Sequence, residues 1–460
     1  MRIILIAYDF LPCVSPQSLR WYYLSRELAL LGHQVCVVTP RVGMIEEPGL
    51  PALPSGVELL RTFPGPFGAV LHLRARMRRR TLAQASAGSD QARFAGPAEV
   101  EQLNWKGRLA RRLYSLTGRA FLAFRGLADC ILFPDIRTEW EPWARSGLRR
   151  QVRHWRPDVV VASHEPATDV RLGLYAESLG CPLVVDLGDP VLAVYTPRRW
   201  RGVAGRLQRR MCKRADHICV TSELVKGSLI ESFGAQPNQV SVITQGFDDR
   251  IAHGQPEPFP EERSVGLERE ASLELLYTGS FYPFRSPENV IRAVEEVEGV
   301  RLRVATVRPP DALVAAAARL PQKFEILGFV GHVETLALQR RAHVLVNIAN
   351  ANPAQIPGKF YEYLGSGRPV LHIVQGPNDV AAQLVRSRGL GWCCENDADS
   401  IASTLRWLVD RLRTAGPDGM FSGARGSVAE FGWSALAIRL EAVLREVAMR
   451  NRSLDAAGIP

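Results

Sequence analysis

The 460-residue chain is short of several features, and each shortage narrows what it can be. No run reaches the roughly 18 uninterrupted apolar residues of a membrane-spanning helix. The most apolar stretch, Ala120 to Pro134, is broken by Arg125 and Asp129. Eight cysteines occur, but none form a Cys-x-x-Cys pair and no histidine cluster accompanies them, so metal-site spacing is missing. Cys36, Cys181 and Cys219 sit in or beside apolar strand-like runs, where a free thiol behaves as a small hydrophobe; reduced cysteines are expected. Ala7 to Arg20 contains no glycine and hence no dinucleotide fingerprint, which disfavours a dehydrogenase. Met1 to Tyr8 is too short for a signal peptide, and Asp9 and Pro12 follow with no small-residue cleavage site. It reads as a first β-strand, and the expected location is cytoplasmic.

Hydrophobic content of 46% and charged content of 23% are those of a globular protein, and the length favours two domains over one core. The net charge of +10 is concentrated. Val70 to Trp155 holds 17 Lys/Arg against 7 Asp/Glu, a surplus equal to that of the whole chain. Such a belt calls for an anionic partner. From Lys106 to Phe124 the spacing predicts a basic amphipathic helix, with Arg108, Arg111, Arg112 and Arg119 on one side and Leu109, Leu113 and Leu116 on another. Two readings stay open for residues 106–125: a packed helix with a solvated arginine face, or a helix lying on an anionic membrane. The charge surplus favours the second, on the inner face of the cell membrane.

Elsewhere strands alternate with helices. Strands are predicted at Ile3–Tyr8, Gln34–Thr39, Asp158–Ala162, Pro182–Val185, His217–Thr221 and Gln239–Ile243, and helices at Ser18–Leu31, Asp169–Leu179 and Glu223–Phe233. The pattern lapses at 251–272, a segment rich in proline and acid that marks a linker. A second series follows, with strands at Leu273–Tyr277, Arg301–Thr306, Phe324–Leu327, Val344–Ile348 and Val370–Val374. Alternation of this kind predicts parallel βαβ units, and therefore an α/β protein of two doubly wound domains. The N-terminal domain is expected at 1–250, with a basic helical insertion around 70–155 that includes a mobile loop at Thr81–Pro97. The second domain is expected at 273–432.

Two segments hold the chemistry. In Tyr277-Thr278-Gly279-Ser280-Phe281-Tyr282-Pro283-Phe284-Arg285-Ser286-Pro287 a strand ends, Gly279 permits a tight turn and Ser286-Pro287 opens a helix. Such a junction aims free backbone amides at one point and attracts phosphate, and Arg285 beside it is able to bind a diphosphate. In Ile356-Pro357-Gly358-Lys359-Phe360-Tyr361-Glu362-Tyr363-Leu364-Gly365-Ser366-Gly367-Arg368-Pro369 a turn leads into a short helix. Lys359 and Glu362 share one face of it, while Phe360, Tyr363 and Leu364 supply the core face. A cation and a carboxylate held together at a helix entry suit a ligand bearing both phosphates and sugar hydroxyls.

These two segments resemble the donor-binding domain of retaining family-4-type glycosyltransferases, which have the GT-B fold. Gly32-His33-Gln34-Val35, Asp186-Leu187-Gly188-Asp189-Pro190, Arg214-Ala215-Asp216-His217-Ile218 with Thr221-Ser222-Glu223, and Gln245-Gly246-Phe247-Asp248 resemble further motifs of that family in the same order. The resemblance implies two Rossmann-like domains facing each other across a cleft, with a terminal helix at 433–450 crossing back to the first domain. It implies a nucleotide-diphosphate sugar as donor, a glycan or lipid-linked acceptor, and a role in cell-surface polysaccharide synthesis. No metal, cofactor or nucleic acid is expected. Glu362 would accept hydrogen bonds from ribose hydroxyls. Lys359 and Arg285 would hold the diphosphate near Gly279, Ser280 and Gly358, and the loop Gly328 to His332, with Gly331, would border the base. His164, just past a strand end, either touches the transferred sugar or caps the next helix. Asp189 either faces the acceptor or caps a helix. Arg20 either reaches an anionic substrate or covers its own helix.

Three positions depart from the family pattern: Ala354 stands where an earlier glutamate is common, and Ser280 and Gly188 stand where arginines are common. A divergent transferase accommodates these changes, and so does a scaffold that has lost activity and binds a membrane or nucleic acid. A sugar-nucleotide epimerase on the same fold is the other enzyme open at this point.

Overall fold

The structure is a computed structural model that describes residues 1–12, 15–41, 53–70, 126, 132–134, 136–193, 195–250, 272–282, 285–350, 356–419 and 426–456. Residues 251–271 of the expected linker (251–272), the basic helix at 106–125, the loop at Thr81–Pro97 and Ala354 lie outside the described residues.

The first sheet contains β1 (Arg2–Ile6), β2 (Gln34–Pro40), β3 (Val57–Thr62), β4 (Val159–His164), β5 (Leu183–Leu187), β6 (His217–Val220) and β7 (Val240–Val242). Their order is β3-β2-β1-β4-β5-β6-β7, all parallel. Runs such as Val159-Val160-Val161 are buried on both faces, as a covered parallel sheet demands. The helices of this half are α1 (Pro16–Leu30), α2 (Glu141–Trp155), α3 (Ala167–Glu177), α4 (Arg201–Arg214) and α5 (Glu223–Phe233).

Alternate strand residues separate two layers. Ile3 and Leu5 pack with Leu24 and Leu28 of α1. Ile4, Ile6 and Val160 pack with Ala144 and Leu148 of α2 and Leu172 of α3. Ala162, two residues after Val160, packs with Leu174 of α3 and with Ala204 and Met211 of α4. Helices α2, α3 and α4 therefore lie side by side on one face of the sheet, opposite α1.

The second sheet contains β8 (Leu273–Thr278), β9 (Val300–Ala305), β10 (Phe324–Gly328), β11 (Val344–Ile348), β12 (Val370–Val374) and β13 (Gly391–Glu395), in the parallel order β10-β9-β8-β11-β12-β13. Its helices are α6 (Glu288–Glu296), α7 (Asp311–Arg319), α8 (His332–Arg341), α9 (Gly358–Gly365), α10 (Val380–Arg388) and α11 (Ala398–Gly419). The last helix, α12 (Trp433–Ala456), places Leu436, Leu440 and Leu444 in the cluster that α1 builds on the first sheet. Phe247 makes the reverse crossing and packs with Phe360 and Tyr361 of the second domain. The two crossings meet where Phe247 N donates to Phe431 O at 3.1 Å and Trp433 N donates to Phe247 O at 3.0 Å.

Three differences from the sequence reading have physical causes. Helix α1 begins at Pro16 instead of Ser18, because Ser15 caps it and Ser18 returns the bond in a capping box. Strand β4 runs on to His164, so that residue ends the strand and does not follow it. Residues 141–155, assigned from sequence to a basic insertion, form α2, an integral layer of the first domain. Its register and that of α4 are obscure in sequence because their buried faces use alanine, glycine and even Gln208, which is 1% exposed.

Candidate functional site

The site grows from α9. Pro357 precedes it, and no side chain of a described residue caps its N-terminus; Phe360 N turns back to Pro357 O at 2.9 Å, which leaves the Gly358 and Lys359 amides for a ligand. Phe360, Tyr361, Tyr363 and Leu364 anchor its buried face. Lys359 and Glu362 occupy the other side and pair with each other, Nζ to Oε2 at 2.9 Å. The Lys359 side chain is 35% exposed and that of Glu362 14%, so the pair is half-open to solvent.

The β8 loop arrives against this pair. Thr278 N donates to the Tyr363 hydroxyl at 2.9 Å, which ties the strand end to α9. Gly279 follows at φ +132°, a conformation that any side chain would strain, and a Cβ there would lie 3.8 Å from Lys359 Cγ. The two sequence segments are thus neighbours in space, and Gly279 lets the backbone lie along the lysine stem. Ser280 is exposed beyond it. Arg285 donates to the Asn350 side chain at the end of β11, and its Nε is buried without a partner. No hydrogen bond or ion pair joins Arg285 to Lys359 or Glu362 among the described residues. Gly331 precedes α8.

Three residues that sequence reasoning did not single out complete this side. Gln339 of α8 donates to Glu362 Oε2 at 3.3 Å and to Thr278 Oγ1 at 3.2 Å, which orients the carboxylate. His332 Nε2 lies 2.9 Å from the Tyr23 hydroxyl of α1, a direct bond between the two domains. His332 Nδ1 and Gln339 Oε1 are buried with no partner. Tyr23 stacks on Trp433, 5.8 Å between centroids and 9° between planes. The signal in sequence was slight: His332 stood in a loop expected to border the base, while nothing marked Gln339 or Tyr23.

Burial works to raise the Glu362 carboxyl, but Lys359, His332 and Gln339 overcome it and leave it below its ordinary value. Glu362 is therefore an anion at neutral pH. Burial lowers His332, which is neutral there. The site offers one anion for hydroxyl donors, one cation, and open helix amides.

On the first domain, His164 is 4% exposed, and its Nδ1 donates to Asp189 O at 2.7 Å. That bond fixes the tautomer and leaves Nε2 as an acceptor. His164 is not the cap of α3, whose N-cap position is Pro166 without a side-chain bond. The Asp189 carboxylate accepts the Tyr195 hydroxyl at 2.8 Å, and Glu165 approaches the same hydroxyl at 2.9 Å. Gly188 has a reason to lack a side chain: a Cβ would meet Gln17 Oε1 at 2.7 Å and His164 O at 3.1 Å.

Arg20 corrects the sequence reading. It neither reaches a substrate nor covers a helix surface. It is 0% exposed, doubly bonded to Asp186 at 2.9 and 2.8 Å, and donates also to Ile243 O and Thr244 O. Every donor nitrogen is consumed by protein.

Burial lowers five histidines: His33, His164, His217, His332 and His343. In the unfolded chain they titrate near 6.5, and in the folded chain lower. Below about pH 6.5 the unfolded state takes up protons that the folded state refuses. The contribution of these histidines to stability is therefore expected to be level above about pH 7 and to fall as pH drops towards about 5. Denaturant midpoints that do not move across this window would contradict the burial of these rings.

Among the described residues no three His, Cys, Asp or Glu side chains group as metal ligands would, and no helix is long and apolar enough to cross a membrane.

Residues 108–250 match the model of the family described as Glycosyltransferase Family 4. Over 243 residues the chain is 28% identical to the D-inositol 3-phosphate glycosyltransferase of Frankia alni, covering 46% of this chain and 54% of that protein. The chain thus spans about half the length of the curated relatives it matches. A glycosyltransferase from Rickettsia africae superposes with a TM-score of 0.59 at 12% identity over 97% of this chain and 98% of that one. The Anabaena protein HepE, solved with UDP and glucose, superposes with a TM-score of 0.58 at 12% identity over 97% of this chain and 100% of that one. At such identities the likeness is one of fold, and the fold is GT-B.

Proposed function

We propose that this chain is a glycosyltransferase of the family-4 type, the family whose model it matches over residues 108–250, and that it moves a sugar from a nucleotide-diphosphate donor to a glycan or lipid-linked acceptor. The Lys359–Glu362 pair at the uncapped start of α9 carries the reading, because Gly279 lies against one member and Gln339 donates to the other. Glu362 accepts the ribose hydroxyls. Lys359 and the α9 amides take the negative charge that grows on the departing diphosphate, and Arg285 extends that positive lining when it turns from Asn350. Gly331 and the loop before it border the base. His164 Nε2 accepts from a hydroxyl of the transferred sugar, and Asp189 lies on the acceptor side.

In this reading the transfer retains anomeric configuration, needs no metal or cofactor, and serves cell-surface polysaccharide synthesis, with residues 106–125 resting on an anionic membrane. Closure of the domains about 251–272 excludes water and limits hydrolysis.

The test is a thermal-shift screen against UDP-, GDP-, ADP- and TDP-sugars, followed by analysis of products. Stabilisation by one class, with nucleotide released only when an acceptor is present, supports the transferase. Interconversion of free nucleotide sugars assigns an epimerase. No shift with any of the four sets removes both.

A further inference from the structure

The first domain carries a second concentration of positive charge, distinct from residues 106–125. Pro190 to Ala215 contains eight Lys/Arg and not one Asp/Glu. Ala144 to Pro157 contains five arginines, again without an acid. The fold places both on one face, since α2 and α4 flank α3 on the same side of the sheet. Two interaxial steps put them about 20 Å apart.

The acids of α2 and α3 are already consumed, and among the helices of this layer exposed acids stand only on α5, at Glu223 and Glu231 beyond α4. Glu141 is 5% exposed and pairs with Arg145 and Arg171. Glu177 pairs with Arg214. What remains outward on α2 and α4 is one sign. Arg149, Arg150 and Arg153 on α2 are exposed and make no ion pair with any described residue. The same holds for Arg201, Arg206, Arg209, Arg210 and Lys213 on α4. Arg209 covers the Phe233 ring, 5.7 Å from its centroid.

One border of this face is aromatic. Each helix begins at the carboxyl edge of the sheet, and there Trp143 (38% exposed) meets Phe63 (43% exposed) edge to face at 4.9 Å. Tyr195, 55% exposed, stands at the same edge ahead of α4. His164 ends β4 on that edge too. A single segment connects them: Gly188 N donates to His164 O at 3.0 Å, Asp189 holds Tyr195, and the chain then turns through Arg198 to Trp200 into α4.

We propose that the α2–α3–α4 face docks on an anionic phospholipid bilayer, with its aromatic border directed to the edge that bears His164. A broad face of parallel helices, single in sign and bordered by amphipathic rings, matches a flat, negatively charged interface. Duplex DNA instead takes a helix or ribbon that projects into a groove, and these helices lie flat on their sheet. Resting on the transferase reading, the proposal narrows the acceptor to one held in the membrane: the docked bilayer lies one loop away from His164.

The test is co-sedimentation of the full chain with vesicles of phosphatidylcholine alone and of phosphatidylcholine mixed with phosphatidylglycerol. Binding is expected only to the anionic vesicles, and it should weaken at least about tenfold between low and physiological salt. The combined change Arg206→Glu, Arg210→Glu and Lys213→Glu should lower binding by at least about tenfold. So should Arg149→Glu with Arg153→Glu. All five side chains are exposed, so unchanged thermal melts verify that the variants fold. Wild-type binding by both variants overturns the proposal, because residues 106–125 are untouched in them. Equal binding to neutral vesicles, or displacement by trace duplex DNA, also overturns it. Nucleotide-sugar stabilisation measured on the same preparations separates the two ideas: a shift without vesicle binding removes only the docking face, and vesicle binding without a shift removes only the transferase reading.

Discussion

Glu362→Ala is expected to abolish the stabilisation that a nucleotide sugar confers while leaving the ligand-free protein folded. The carboxylate has two protein partners, and both survive its loss. Gln339 keeps its bond to Thr278 Oγ1 at 3.2 Å, and Lys359, 35% exposed, turns to water. The ligand has no such recourse. Hydrogen bonds to a charged acceptor contribute about 1.5–3 kcal/mol each, so two ribose hydroxyls left unpaired lower affinity by on the order of 10²-fold or more. Lys359→Ala should also remove the shift, but its larger effect falls on turnover. Deleting one donor to a developing anion costs about 10²–10³ in kcat. Calorimetric titration and single-turnover rates measure the two separately. Nucleotide-dependent shifts of wild-type size in both variants would place the donor elsewhere.

Arg20→Ala is expected to cost about 3–5 kcal/mol of stability, the range for removing one member of a buried ion pair. Asp186 is 1% exposed and would keep only Trp21 Nε1 at 2.9 Å and Gln17 Nε2 at 3.4 Å as donors. The carbonyls of Ile243 and Thr244 would lose their partner as well. A loss of that size is a large fraction of the stability of an ordinary domain. The first domain should therefore unfold at a markedly lower denaturant concentration, with nucleotide binding by the second domain impaired only where it unfolds. A variant with a wild-type midpoint but weakened acceptor binding would restore Arg20 to the substrate.

The difference between Arg20 and Glu362 shows where sequence reading works. Lys359 and Glu362 are three residues apart on a helix whose apolar positions are unambiguous, so their common face is settled locally. Arg20 also sits on a regular helix, but its surroundings come from Asp186 and Ile243, more than 160 residues away in the chain. An arginine opposite a distant aspartate has the same local signature as an arginine facing water. Gln339 was overlooked, and His332 was read only as part of a loop bordering the base, for the same reason: their partners Thr278, Glu362 and Tyr23 lie on other elements.

Helix α4 illustrates the limit for elements. Its buried positions include Gly205 and Gln208, so its pattern reads as polar until β5 and β6 are seen to cover that side. Strands of Val and Ile with glycine stops needed no such help. For them burial follows from the side chain alone, and β11 and β12 lie at the residues expected.

By itself the sequence determined the alternation of strands and helices, the two-domain division and the neighbouring positions of cation and carboxylate at the start of α9. These rest on periodicity and on backbone preferences that act over a few residues. Only the tertiary structure decided that Gly279 lies along Lys359, that Tyr23 of one domain bonds His332 of the other, that Arg20 is consumed in the interior, and that the arginines of α2 and α4 share one face. Each of these depends on which distant segments the packed sheets bring within about 4 Å, and no local preference encodes that.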